Sequence, residues 1–109
     1  MHKKKTSAVA EFLTEQIKQS PKLQSEISRE AGFQSPNVIT MIKQGKTKLP
    51  LARIPPLATA LGINPGDLLA LSMKEYMPEV LATIEDCLNH LILTPDEQQL
   101  VLSYRQMQI

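Results

Sequence analysis

Residues 35–50 read SPNVITMIKQGKTKLP, an apolar run with helical spacing followed by two lysines that flank a threonine. Ser35 and Pro36 are a typical helix start, because a serine oxygen can accept an unpaired backbone N–H and a proline at the first helical position loses no hydrogen bond. Gly45 is a typical helix stop, since glycine readily adopts the left-handed conformation that ends many helices. The stretch predicts a short helix that ends at Gly45 and passes into a basic loop.

The outer face of this helix suits the edges of base pairs. Ile39 and Ile42 are placed toward the core, and each further residue is rotated by about 100° around the helix axis. The outward side chains are then Asn37, Thr40, Met41 and Gln44, with Pro36, Val38 and Lys43 at the borders. Asn and Gln can pair with adenine, and the methyl groups of Thr or Met can contact a thymine methyl in the major groove. Taken alone, this pattern is equally typical of an ordinary polar helix surface.

The preceding residues 24–33, QSEISREAGF, predict a shorter helix that stops at Ala31-Gly32. A helix, a tight turn and a second helix with apolar residues three apart have the spacing of a helix-turn-helix, in which the second helix enters the groove. Lys46 and Lys48 would then face the phosphates beside the inserted helix. Phosphate contacts supply affinity, whereas base contacts supply discrimination.

Charge is distributed unevenly along the chain. Residues 1–53 carry ten basic and four acidic side chains, a net +6, whereas residues 54–109 carry two basic and seven acidic side chains, a net −5. This asymmetry favours a polyanionic partner for the first half, although charge runs also occur on purely solvated faces.

Helical periodicity runs through the whole chain, and no stretch alternates in the manner of a half-buried strand. We expect an all-α protein of 109 residues, which suits one compact domain with an appendage. Residues 1–7 are predicted as a basic flexible tail, residues 8–76 as a five-helix domain and residues 77–109 as a helical hairpin. The predicted helices cover residues 8–19, a segment ending near 30, and residues 36–45, 55–62 and 64–76, followed by one from Pro78 and one from the capping box Thr94-Pro95-Asp96-Glu97.

The chain resembles the phage repressor and Cro type of helix-turn-helix regulator, also called the Xre family. The resemblance rests on residues 24–33, residues 35–50 and the run IPPLATALGINPGDLL at 54–69, about two thirds of the chain. It implies a lambda-repressor-like five-helix DNA-binding domain with a C-terminal two-helix extension. This chain departs from the family pattern by one extra residue between Gly32 and Asn37, another between Pro50 and Leu57, and by Ser28 where alanine is common.

The resemblance also implies roles for individual residues. It places Gln24 against a phosphate. Residues that match Ser35, Asn37 and Met41 approach base edges in that family, and those that match Gln44, Lys46 and Lys48 lie near the DNA backbone. Together with the outer face of the third helix, the resemblance leads us to expect base contacts from Ser35, Asn37, Thr40 and Met41. Phosphate contacts are expected from Gln24, Lys43, Gln44, Lys46, Thr47 and Lys48. Lys3, Lys4 and Lys5 are interpreted as a disordered tail with non-specific attraction for DNA rather than as an arm along the duplex.

The C-terminal hairpin carries two apolar stripes. A helix-turn-helix monomer covers little DNA, so specific binding usually uses two copies on half-sites about 34 Å apart. We therefore favour a homodimer over a simple extension of the core. The expected interface residues are Leu81, Ile84, Leu88, Leu91, Leu100, Val101 and Tyr104.

The predicted function is a sequence-specific, double-stranded DNA-binding transcriptional regulator, with repression favoured because it requires only occupancy of an operator. The alternative is a protein-interaction module, such as an antitoxin-like protein whose hairpin binds a partner while DNA binding is secondary or absent. No enzyme is expected, since the sequence has no nucleophile with a base at a recognised spacing and no phosphate-binding glycine loop.

Cofactor and metal sites are not expected either. Cys87 and His90 are three apart on the sixth helix, but two ligands fall short of a structural zinc site, and we expect Cys87 to be a core residue. There is no apolar segment before a small-residue cleavage site and no apolar run long enough to cross a bilayer. These features predict a cytoplasmic protein with no membrane contact.

Overall fold

The computed structural model describes residues 7–88 and 95–107, and within these ranges all regular structure is helical. The helices are α1 (Ala8–Gln19), α2 (Gln24–Glu30), α3 (Pro36–Lys43), α4 (Ile54–Leu61), α5 (Pro65–Tyr76), α6 (Pro78–Leu88) and α7 (Pro95–Met107), with a 3₁₀ turn at Leu51–Arg53 before α4. The expectation of an all-α chain is confirmed for the described residues. None of the helices in these ranges is long and apolar enough to cross a membrane.

Apolar side chains from α1 to α5 and from the loop at Leu49 form one core. Within this core α4 contacts α2 and α5, and α1 contacts α3 and α5. Phe33, directly after the Ala31-Gly32 turn, packs against this core. The buried members of the core are Val9, Leu13, Ile17, Ile27, Ala31, Ile39, Ile42, Leu49, Ile54, Leu57, Ala60 and Leu68.

Capping side chains and a left-handed glycine explain several of the helix ends. The Oγ atom of Ser7 accepts the Ala10 N–H at 3.1 Å, and Asn64 caps α5 in the same way through Asp67. The last helical residue of α3 is Lys43, slightly before the predicted end at Gly45. Gly45 has a φ of +74°, and the Lys46 N–H reaches back to the Met41 carbonyl at 2.9 Å. This hydrogen bond beyond a left-handed glycine closes the helix.

The turn between α2 and α3 is held differently from the prediction. Ser35 occupies the N-cap position of α3, but its side chain makes no capping hydrogen bond. The buried Ser28 hydroxyl instead donates to the Ser35 carbonyl at 2.9 Å. Ser28 thus joins α2 to the start of α3 across the turn.

The C-terminal extension begins with α6, which packs against α5. Leu81 is half-buried, whereas Val80, Ile84 and Leu88 are 48%, 38% and 48% exposed. Cys87 is also exposed, so its prediction as a core residue is wrong. The reason is that Cys87 lies three and seven residues after Ile84 and Val80, on the stripe of α6 that remains uncovered.

Some predictions for the two ends of the chain lie outside the described residues. They concern the tail with Lys3, Lys4 and Lys5, the residues His90, Leu91 and Thr94, and the α6–α7 connection at residues 89–94. In α7, Leu100 and Tyr104 are 69% and 64% exposed, and the position of the Val101 side chain is not described.

The hydrogen bond from Ser28 to the Ser35 carbonyl should contribute measurably to the stability of the protein. We expect Ser28→Ala to lower the free energy of unfolding by about 1 kcal/mol, because the variant loses a buried hydrogen bond between two helices. Ser72→Ala is the matched control: Ser72 is equally buried, but its hydroxyl donates to the Leu68 carbonyl one turn earlier in its own helix, a bond that adds little stability. Urea unfolding of both variants measures the difference. Equal losses would show that the Ser28 hydroxyl has no special role in the turn.

Candidate nucleic-acid interface

The side chain of Gln24, the first residue of α2, joins α2 to α3. Its Nε2 atom donates to Thr40 Oγ1 at 2.8 Å and to the Pro36 carbonyl at 3.2 Å. Its Oε1 atom accepts from Lys43 Nζ at 2.9 Å. One amide therefore binds α3 at its first, fifth and eighth residues, which fixes the two helices of the predicted helix-turn-helix relative to each other.

This contact has consequences for three predicted site residues. Gln24, Thr40 and Lys43 are each half-buried and joined to one another. Thr40 acts as an acceptor toward Gln24 and keeps its hydroxyl hydrogen for donation. Lys43 has one of its three ammonium hydrogens on Gln24, so two remain for another acceptor.

The outer face of α3 lies where the sequence predicted it. Ile39 and Ile42 are each only 2% exposed, so the opposite side of the helix points away from the protein. The exposed predicted site residues on or next to this helix are Ser35, Asn37, Met41 and Gln44. No acidic residue lies within α3, so a polyanion approaching this face meets no carboxylate of the helix itself.

Lys46, Thr47 and Lys48 form an exposed loop directly after Gly45. The loop is anchored at its far end by Leu49, whose side chain is 1% exposed. Among the described residues the only ion pair joins Lys22 to Glu30, at 2.7 Å. No described carboxylate therefore lies within ion-pair distance of the two loop lysines, and their charge remains available to a partner.

An open groove of about 370 Å³ lies beside this loop, lined by Ser7, Gly45, Lys46, Thr47, Lys48, Glu75 and Tyr76. Glu75 Oε2 accepts from the Ser7 hydroxyl at 2.7 Å, and its Oε1 accepts from the Val9 N–H at 2.9 Å. The carboxylate thus satisfies the first turn of α1, where a negative charge is stabilised by the helix dipole.

Tyr76 lies on the same side of the loop. Its hydroxyl oxygen accepts the Leu49 N–H at 3.0 Å, and the ammonium nitrogen of Lys48 lies 5.5 Å from the ring centroid. Burial raises the pKa of Tyr76, an effect that the hydrogen bond from Leu49 opposes and the nearby Glu75 charge reinforces. The phenol therefore remains neutral around pH 7.

The structure groups the predicted residues in two places. Gln24, Thr40 and Lys43 form one hydrogen-bonded group, and Lys46, Thr47 and Lys48 share the groove. Sequence analysis did not identify Glu75 or Tyr76. Both lie in the last turn of α5 and were interpreted only as a helix end, and their partners are 27 to 68 positions away in sequence. No local pattern signals a contact of that range.

A metal centre finds no support in the described ranges, where no three His, Cys, Asp or Glu side chains are grouped closely enough to hold an ion.

The chain has no significant match among protein-family models, curated proteins or solved structures.

Proposed function

We propose that this protein is a sequence-specific, double-stranded DNA-binding transcriptional regulator of the phage repressor and Cro (Xre) type, acting in the cytoplasm. Its lambda-repressor-like domain comprises residues 8–76. The observation that carries the proposal is the Gln24 amide, which locks α2 to α3 through Thr40, Pro36 and Lys43. A helix that enters a DNA groove must be presented at a fixed angle, and this contact supplies that constraint on the solvent side of the pair.

The exposure and charge of the side chains support separate roles for the residues that would contact bases and those that would contact phosphates. Asn37 and Met41 are exposed one turn apart on the side of α3 opposite its buried residues, where they can reach base edges together with Ser35 and Thr40. Phosphate contacts are assigned to Lys43, Gln44, Lys46, Thr47 and Lys48. The loop lysines suit this role because no described acid neutralises them, so each can release a counterion from DNA on binding. Gln24 was also expected to contact a phosphate, but its two side-chain N–H hydrogens bind Thr40 and Pro36, so its side chain orients α3 instead.

A homodimer on a two-fold symmetric operator completes the proposal. The exposed stripe of Val80, Ile84 and Leu88 on α6 is apolar enough to pack against a second copy. Leu81 is half-buried in α6, the helix that packs against α5. We favour repression, since a dimer that occupies an operator blocks polymerase without any further contact.

A second candidate function is that of an antitoxin-like protein whose extension binds another protein. The acidic residues Glu79, Glu85 and Asp86 accompany the apolar stripe of α6, and the helix has no basic residue. This chemistry suits a partner with a basic rim, whereas two copies would bring like charges toward each other. A partner that co-purifies in stoichiometric amount, with DNA affinity no greater than a salt-sensitive background, would favour this function over the first.

The decisive experiment is selection from a randomised duplex library at near-physiological salt, performed with the unchanged protein and with Asn37→Ala. We expect a two-fold symmetric motif with half-sites about one helical turn apart. Asn37→Ala should weaken binding to this motif by about 1–3 kcal/mol and change binding to random DNA little. Recovery of no motif would contradict the proposed function, and equal losses on both DNAs would reduce Asn37 to a positioning role.

The loop lysines are tested by the salt dependence of DNA affinity. Lys46→Ala and Lys48→Ala should each weaken binding to all duplex sequences and lower the slope of log K against log salt by about one unit, the loss of one phosphate contact. Lys18→Ala is the matched control, because Lys18 is exposed but lies at the opposite end of α1 from the groove. An unchanged slope in the loop variants would remove these lysines from the interface.

The dimer is tested by sedimentation without DNA. We expect the unchanged protein to be dimeric at micromolar concentration and Ile84→Glu to be monomeric, because a charge in the apolar stripe has no partner there. Ala82→Glu carries the same charge on the same helix, but on the side away from the stripe, and should remain dimeric. A monomeric unchanged protein, or equal behaviour of the two variants, would show that α6 does not join two copies.

A further inference from the structure

The last turn of α5 lies beside the basic loop of Lys46, Thr47 and Lys48 and lines the same groove. The half-buried Tyr76 accepts the Leu49 N–H at 3.0 Å, and the Leu49 side chain is itself buried in the core. The backbone immediately after Lys48 is therefore held both by a hydrogen bond and by apolar packing. An exposed loop without such anchors would lose more conformational freedom on binding a partner.

The ring of Tyr76 also acts on the Lys48 side chain itself. The ammonium nitrogen lies 5.5 Å from the ring centroid, within the range of a cation–π attraction. Lys48 nevertheless remains exposed, so its ammonium can keep this contact and bind a phosphate at the same time. A flexible lysine that is already restricted to one region loses less side-chain entropy when it binds.

The neighbouring Glu75 does not cancel this charge. It lines the same groove, but both of its carboxylate oxygens accept hydrogen bonds from the start of α1, at Ser7 and Val9. No ion pair between Glu75 and Lys48 is present among the described contacts. The last turn of α5 thus supplies an aromatic contact to the loop while its acidic residue is engaged elsewhere.

We propose that Tyr76 is a positioning residue for nucleic-acid binding: it does not touch DNA, but its ring and hydroxyl hold Lys48 and the following backbone in the conformation that binds a phosphate. This inference rests on the proposed function and extends it to a residue outside the helix-turn-helix. Lys46 lies in the same loop and the same groove, but its ammonium has no cation–π contact among the described residues. It therefore provides an internal reference.

The test is a double-mutant cycle on duplex DNA at about 0.1 M salt, where phosphate contacts are only partly screened. Tyr76→Leu should weaken binding about two- to tenfold, the cost of ordering one flexible side chain on binding that the ring no longer restrains beforehand. Combined with Lys48→Ala, it should cause no further loss, because the residue through which it acts is already absent. Combined with Lys46→Ala, it should cause the full loss again.

Each other outcome is informative. Equal losses in both lysine backgrounds, or tighter binding by Tyr76→Leu, would overturn the positioning role. If a thermal melt shows that Tyr76→Leu is unfolded, the same cycle is carried out with Tyr76→Phe, which removes only the acceptor of the Leu49 N–H. The smaller loss of DNA affinity in Tyr76→Phe should likewise vanish when it is combined with Lys48→Ala. If the unchanged protein shows no salt-dependent binding to duplex DNA, the proposed function itself fails, and the role of Tyr76 with it.

Discussion

The burial of Ile39 and Ile42 determines which way α3 faces, and the candidate interface depends on that orientation. Complete burial of an isoleucine side chain stabilises a protein by about 1.5–3 kcal/mol, and these two residues are each 2% exposed. A rotation of α3 by one residue, about 100°, would expose both and turn polar side chains inward. The outward position of Asn37 and Met41 is therefore a consequence of core packing rather than of any contact made by those residues themselves.

Hydrogen bonds between side chains and neighbouring elements then fix the relative positions of α2, α3 and the following loop, which apolar packing alone does not fully determine. Helices as short as α2 and α3 are not stable in isolation, so their arrangement depends on tertiary contacts. Gln24 joins them on the solvent side, and Ser28 joins them beside the core. Tyr76 performs the same task for the loop after α3. Each such bond contributes only about 1 kcal/mol, but each acts at a point where the apolar core alone would allow several conformations.

The two halves of the chain differ in what they offer a partner. The first half presents an exposed helix face without acids and a loop with two lysines, whereas α6 presents an apolar stripe with three acidic residues on the same helix. The exposed Cys87 belongs to that stripe, which shows why its prediction as a core residue failed. An apolar helical pattern indicates that a face avoids water, but it does not indicate whether the same chain or another one covers it.

Most of the architecture could be predicted from the sequence, because helix starts, helix stops and apolar spacing depend on residues within about four positions of one another. The extent of α1, the left-handed end at Gly45 and the orientation of α3 all followed from such patterns. The wrong expectation for Ser35 was local in origin: Ser35 has the residue type of a helix cap, but its side chain makes no capping hydrogen bond, and its carbonyl accepts from Ser28 instead. The bonds of Gln24 to α3, of Ser28 to Ser35, of Glu75 to α1 and of Tyr76 to Leu49 were decided only by the tertiary structure. These bonds join separate elements of the fold, and such elements come within hydrogen-bonding distance only after the whole core has packed.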